Sequence, residues 1–302
     1  MKKLIAILIL LATVKVYSQQ VPLYSQYMFG KYPYNPAVAG SDDRFIATLG
    51  HRNQWMGFEG APVTGLFTFQ GPLSGGSNTG AMIYHDKTGS MERLGAMPGY
   101  TYRVFLDSDL SLSFGIQAGI IQYVVNGDEL TTKEPNDPVV PTVKSKAMFG
   151  DASFGMYLKG EQFYFGLAIP QLLNGSVSLT SDFQSVHDGL LQRHLFAMGG
   201  FEIESSENFS IEPSVLLKAT QAAPIQLDIN CRFIFHNMWW LGATYRSRAA
   251  VSVLAGLEVS ETVFLGYAYD ISTNEISKVS NGCHEIFLGV KFKEKQRSNR
   301  YY

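Results

Sequence analysis

Hydrophobic and polar residues alternate with a period of two along much of this chain. From Ser111 onward, Leu112, Phe114, Ile116, Ala118 and Ile120 share one parity, while Ser111, Ser113, Gly115, Gln117 and Gly119 share the other. The stretch Ile225 to Phe233 repeats the pattern, with Ile225, Leu227, Ile229, Cys231 and Phe233 set against Gln226, Asp228, Asn230 and Arg232. Successive side chains of a strand point to opposite faces, so this period predicts strands rather than helices. Strands are expected at 44–54, 63–70, 79–85, 95–105, 110–123, 148–158, 162–169, 191–204, 209–218, 225–235, 238–247, 250–258, 263–270 and 284–292. Many strands with one apolar and one polar face, about fourteen and even in number, form the pattern of a transmembrane antiparallel β-barrel.

The connections make a second argument. Asp107-Ser108-Asp109, Lys159-Gly160-Glu161, Ser205 to Asn208, His236-Asn237 and Ser260-Glu261 read as short turns. Longer loops are expected between them, at 86–94, 124–147, 170–190, 219–224 and 271–283, with Ser247 to Ala250 as a short exception. Outer-membrane barrels sort their connections this way, with short turns in the periplasm and long loops outside. Both chain termini then fall on the periplasmic side. Trp239 and Trp240 follow a short turn and are expected in the periplasmic aromatic girdle.

The polar parity carries Arg52, Arg103, Gln117, His194, Glu202, Glu212, Lys218, Asp228, Arg232, Arg246, Arg248, Glu258, Glu285 and Lys291 toward the lumen. Both signs are present. A strongly ion-selective pore favours rings of one sign, so a mixed lumen points to internal ion pairing or a plug.

Composition supports the same class. Of 302 residues, 46% are hydrophobic, 13% aromatic and only 17% charged; soluble domains carry about 25% charged residues. Lys2 and Lys3 precede the apolar run Leu4 to Val14, and Val16-Tyr17-Ser18 offers a cleavage site, so residues 1–18 read as a secretory signal peptide. That run is too short to span a bilayer, which takes about 20 residues. The formal net charge is −2, and no basic patch suggests nucleic acid as a partner. Residues 19–43, with Pro22, Pro33 and Pro36, form no regular strand and are expected to plug the lumen or lie on its rim. The barrel follows at 44–292, and 293–302 is a polar periplasmic tail. Cys231 reads as a small apolar filler and Cys283 as a loop residue.

Catalytic signals are thin. The chain has no G-x-S-x-G elbow, P-loop, dinucleotide fingerprint or H-E-x-x-H, and its six histidines lack ligand spacing. No catalytic residue, metal ligand or cofactor site is expected, and the chain is read as a non-enzyme.

The N-terminal third carries a resemblance. Tyr24-Ser25-Gln26-Tyr27-Met28-Phe29, Asn35-Pro36-Ala37-Val38-Ala39-Gly40 and His51-Arg52-Asn53-Gln54-Trp55-Met56-Gly57-Phe58-Glu59-Gly60-Ala61-Pro62 resemble the PorP/SprF family of Bacteroidetes type IX secretion. Leu241 to Arg246, Leu265 to Asp270 and His284 to Phe292 look like that family's closing strands. His51 departs from the aromatic or aliphatic residue expected there.

The resemblance implies a cell outer-membrane location, among membrane lipids. It also implies a non-enzymatic role in secreting and anchoring a large surface protein, an adhesin of gliding-motility type, by binding its type IX C-terminal domain. A periplasmic peptidoglycan-binding lipoprotein is a further implied partner. Gly57, Gly60 and Pro62 permit a tight turn that would present Trp55, Phe58 and Glu59. Leu172, Leu173 and Phe183 make loop 170–190 unusually apolar, as interaction surfaces are. Trp55, Gly57, Phe58, Glu59, Leu172, Leu173 and Phe183 are therefore the candidate partner contacts, and Asn35, Pro36, Gly40 and Arg52 the candidate plug motif. The alternative is a barrel like the fatty-acid transporters, taking up hydrophobic small molecules; the charges at 226–232 and 246–248 speak against it.

Overall fold

The computed structural model describes residues 23–127, 144–173, 192–220 and 223–294. The signal peptide, residues 19–22, most of loops 124–147 and 170–190 with Phe183, and the tail from 295 lie outside the described residues.

The strands are β1 (Arg44–Asn53), β2 (Val63–Pro72), β3 (Ser77–Thr88), β4 (Met91–Phe105), β5 (Ser111–Val125), β6 (Ser145–Lys159), β7 (Phe163–Ile169), β8 (His194–Phe201), β9 (Ile203–Ser206), β10 (Phe209–Thr220), β11 (Ala223–Phe235), β12 (Trp239–Arg246), β13 (Ala250–Glu258), β14 (Val263–Ser272) and β15 (Cys283–Glu294). Strands β8 and β9 both pair with β10 and form one barrel strand broken at Glu202. Every pairing is antiparallel between chain neighbours, and β15 pairs with β1. The result is a closed, antiparallel, fourteen-stranded β-barrel. Closure of β15 on β1 leaves the sheet without a free edge strand, as a hydrocarbon environment demands.

Period two decides the faces. In β5, Ser111, Ser113 and Gln117 are buried inward, whereas Phe114, Ile116 and Ile120 are exposed on the outer wall. Leu49, Val253 and Ile229 continue this apolar outer surface. Trp239 lies on it, but Trp240 does not. Trp240 is buried in the lumen, 5.4 Å from the Phe29 ring, and the Arg232 guanidinium lies 5.5 Å from its own ring. Adjacent strand residues cannot both face lipid, which corrects the expectation of a paired girdle.

Two expected loops are also corrected. Strands β3 and β4 run to Thr88 and Met91, which pair across the turn Gly89-Ser90. Strands β10 and β11 run to Thr220 and Ala223, which also pair. The longer connections at this end of the barrel are 54–62, 126–144, 170–193 and 273–282. This end is called the long-loop end; Arg44 and Glu294 mark the opposite, short-turn end.

The hydrophobic core lies inside the barrel. Tyr24, Tyr27, Met28, Tyr34, Ala37 and Val38 pack against Phe196, Leu216, Trp240, Leu254 and Phe287 of the wall. Residues 23–43 thus occupy the lumen, rising from Arg44 at the short-turn end to Leu23 in the long-loop half. Of the described ends, Glu294 lies at the short-turn end and Leu23 in the long-loop half; the chain termini lie outside the described residues.

Candidate functional site

The lumen segment is held in two places. Its deeper anchor is the short 3-10 turn Pro36–Val38. The Asn35 side chain caps this turn by accepting from the Ala37 N–H at 2.9 Å. Its amide nitrogen donates to the wall carbonyls of Met156, at 2.9 Å, and Leu167, at 3.3 Å. The Thr101 hydroxyl donates to the Pro36 carbonyl at 2.8 Å. Gly115 of β5 makes the close approach possible, because a Cβ there would stand 2.3 Å from the Ala37 nitrogen. Gly40 ends the segment with φ +76°, and a Cβ on it would collide with the Asn78 side chain. Arg103 then donates to the Gly40 carbonyl at 3.0 Å and pairs with Asp43.

The second anchor is ionic. Glu285 accepts the backbone N–H of Ser25 at 2.8 Å and of Gln26 at 2.9 Å. Arg52 donates to Glu285 at 2.8 Å, to the Ser25 hydroxyl oxygen at 2.9 Å and to Asp270 at 2.6 Å. The Ser25 hydroxyl donates to Asp270 at 2.7 Å. Arg246 reaches the Tyr24 carbonyl at 3.3 Å and Asp228 at 3.1 Å, and Lys218 donates to Asp228 at 2.7 Å. Three cations, Arg52, Arg246 and Lys218, are thereby matched by three carboxylates, Glu285, Asp270 and Asp228, all buried. A buried charge is tolerated when paired and hydrogen-bonded, and part of this pairing comes from the backbone and hydroxyl groups of the plug.

Two cavities flank the segment. One, of about 360 Å³, opens at the short-turn end beside Met28 to Pro33. The other, of about 550 Å³, opens at the long-loop end above Leu23. No residue from Tyr24 to Tyr27 lines either cavity; these buried residues form the partition between them.

Asn35, Pro36, Gly40 and Arg52 all contact or belong to this assembly. The other candidates stand at the long-loop rim. Trp55 has φ +51°, and its N–H donates to the Cys283 sulfur at 3.4 Å. Phe58 is 46% exposed, and Gly57 and Glu59 are exposed beside it. Loop 54–62 is tied down by Met56 N–H to the Gly282 carbonyl, 2.8 Å, and Gly89 N–H to the Gly60 carbonyl, 2.8 Å. In the connection beyond β7, Leu173 is exposed and Leu172 is half-buried. These two groups do not meet, since strands β3 to β6 stand between their loops. Arg248, expected inward, lies exposed in the turn beyond β12. Ser25, Gln26 and Asp270 fall within the runs that carry the family resemblance but were not named as site residues; Asp270 shares the inward parity of Ala268, which marks it as a lumen residue.

Both cysteines are free. Among the described residues, no group of three or more His, Cys, Asp or Glu side chains is placed to hold a metal ion.

Residues 16–290 match the family model for the type IX secretion system membrane protein PorP/SprF. The chain belongs to that family. Its barrel is an outer-membrane barrel, as the family description and the fold agree. No curated protein matches the sequence. Among solved structures, the toluene transporter TbuX of Ralstonia pickettii is similar at 10% identity, with 86% of this chain and 92% of that one covered and a TM-score of 0.54. The CymD monoaromatic hydrocarbon channel is similar at 8% identity, over 94% and 96% of the two chains, with a TM-score of 0.52. At such identities the likeness is one of fold.

Proposed function

We propose that this chain is a plugged accessory barrel of type IX secretion that holds a large secreted surface protein at its long-loop face. In this reading the partner docks through its type IX C-terminal domain and is an adhesin of the gliding-motility kind. The observation that carries the reading is the partition in the lumen: Tyr24 to Tyr27 are buried, and Glu285 and Arg52 grip Ser25 and Gln26. A barrel closed by its own chain can anchor a bulky protein without leaving an open pore. Family membership supplies the secretion context.

Trp55 and Phe58 are the proposed apolar anchors, because large aromatic side chains dominate interface energetics. Leu172 and Leu173 form a second, separate contact. The short-turn mouth faces the periplasm, where a peptidoglycan-binding lipoprotein would reach it.

The experiment is co-purification of the detergent-extracted protein from native outer membranes, read by mass spectrometry. A large secreted protein with a type IX C-terminal domain is expected. Recovery of lipid or fatty acid with no protein partner contradicts the reading. It would favour uptake of apolar molecules, the class named for the two solved likenesses. The charged cluster across the lumen weighs against that alternative.

A further inference from the structure

The cavity at the long-loop end is floored by Leu23, Arg52 and Asp270 and walled by Trp55, Arg248 and Asn274. Its volume of about 550 Å³ lies within the roughly 300–1,000 Å³ of ordinary ligand sites. Among the described residues it is blind at its inner end, because the chain continues below Leu23 into the buried partition. An extended polypeptide entering it cannot pass through and must either double back or end there.

The charge of the lining is uneven. Arg52 and Arg246 are neutralised by the buried carboxylates, and Arg93 pairs with Asp86 at 2.5 Å. Arg248 is the surplus, with no carboxylate partner among the described residues. Its backbone is held in the left-handed region at φ +60°, which side chains other than Gly, Asn and Asp adopt at a cost. The turn is pinned around it: Ser247 N–H donates to the Leu227 carbonyl at 2.8 Å, and Thr273 N–H to the Ala249 carbonyl at 2.9 Å. An exposed guanidinium on a pinned turn thus shares the lining of the cavity with an aromatic side chain.

We propose that this vestibule receives the carboxyl terminus of an extended polypeptide, with Arg248 pairing the terminal carboxylate and Trp55 packing on the residues before it. An arginine fork matches a carboxylate in two parallel hydrogen bonds, and a blind end selects a chain that stops. The inference rests on the anchor reading and specifies which part of the partner is held.

The test uses the purified full-length barrel in detergent and pools of uncharged-side-chain hexapeptides, one pool ending in a free carboxylate and one amidated. Retention is quantified by mass spectrometry. The free-carboxylate pool is expected to be retained about tenfold over the amide, the worth of one charge-assisted contact. Arg248→Asn, which suits a left-handed φ, abolishes the preference; Arg248→Lys keeps part of it. Equal retention of both pools, or an Arg248→Asn protein with the preference intact, overturns the inference. Equal retention of an amidated pool with internal glutamates overturns it in favour of acidic side chains. If the secreted partner co-purifies while no carboxylate preference exists, the terminus inference fails and the anchor reading stands. If neither is seen, both fail.

Discussion

Arg52 donates to Glu285 at 2.8 Å across the seam where the first and last strands pair. Both are almost wholly buried, and the two residues are direct neighbours in the β1–β15 register. The same carboxylate holds two consecutive amides of the lumen segment, at Ser25 and Gln26. Barrel closure and plug docking therefore share one ion pair, so each stabilises the other.

Replacing Arg52 with Ala leaves Glu285 and Asp270 buried beside fewer cations. Breaking a buried pair from one side costs roughly 3–5 kcal/mol. Thermal unfolding in detergent, followed by circular dichroism, is expected to shift well below wild type, and trypsin is expected to cut at Lys31. Unchanged melting and unchanged protection would remove the ion pair from the account.

Gly115→Val separates the plug from the wall. A Cβ at Gly115 meets the Ala37 backbone at 2.3 Å, and backbone cannot swing aside as a side chain can. The turn Pro36–Val38 must be displaced while β5 keeps its ladder. Protease protection of the segment is expected to fall with the heat-modifiable gel mobility of the folded barrel retained. Loss of the folded band instead would show that the barrel cannot form without the turn in place.

Asn35→Ala removes the cap of that turn and the donor to two wall carbonyls. Unsatisfied buried groups cost about 1–3 kcal/mol each. Hydrogen exchange at the Ala37 amide is expected to accelerate at least tenfold, with strand amides of β10 to β13 unchanged. No acceleration would mean that packing alone holds the turn.

The outer wall makes a separate prediction. Val253, midway along β13, is 55% exposed on the lipid side. Arginine there costs about 2–4 kcal/mol if the residue lies near the bilayer midplane. Urea unfolding from lipid vesicles is expected to shift to lower denaturant for Val253→Arg, while the same change at the rim residue Val259 has a small effect. Equal effects at the two positions would contradict the assigned depth.

Much of the barrel was legible in the sequence because the lumen side of strands such as Ser111–Val125 is polar and the other side is not. Where inward and outward residues are both charged, the alternation disappears. Asp86 pairs with Arg93, and Lys87 stands opposite Glu92, so the tips of β3 and β4 looked like a loop. The Trp239-Trp240 pair misled because composition marks a girdle residue, whereas parity decides which of two neighbours faces lipid. The plug anchors were half legible. Arg52 and Glu285 carry inward parity, but Ser25 belongs to an irregular segment and meets Glu285 across 260 residues of sequence. No local pattern encodes that contact.

The central claim is that the barrel is closed by its own N-terminal segment. The most direct measurement is ion conductance of the purified, signal-cleaved protein in a planar lipid bilayer, beside a variant lacking residues 23–34. The account predicts a nearly silent wild-type protein and a variant with stable, porin-like openings. A wild-type protein that conducts steadily, at the level of the shortened variant, would contradict it.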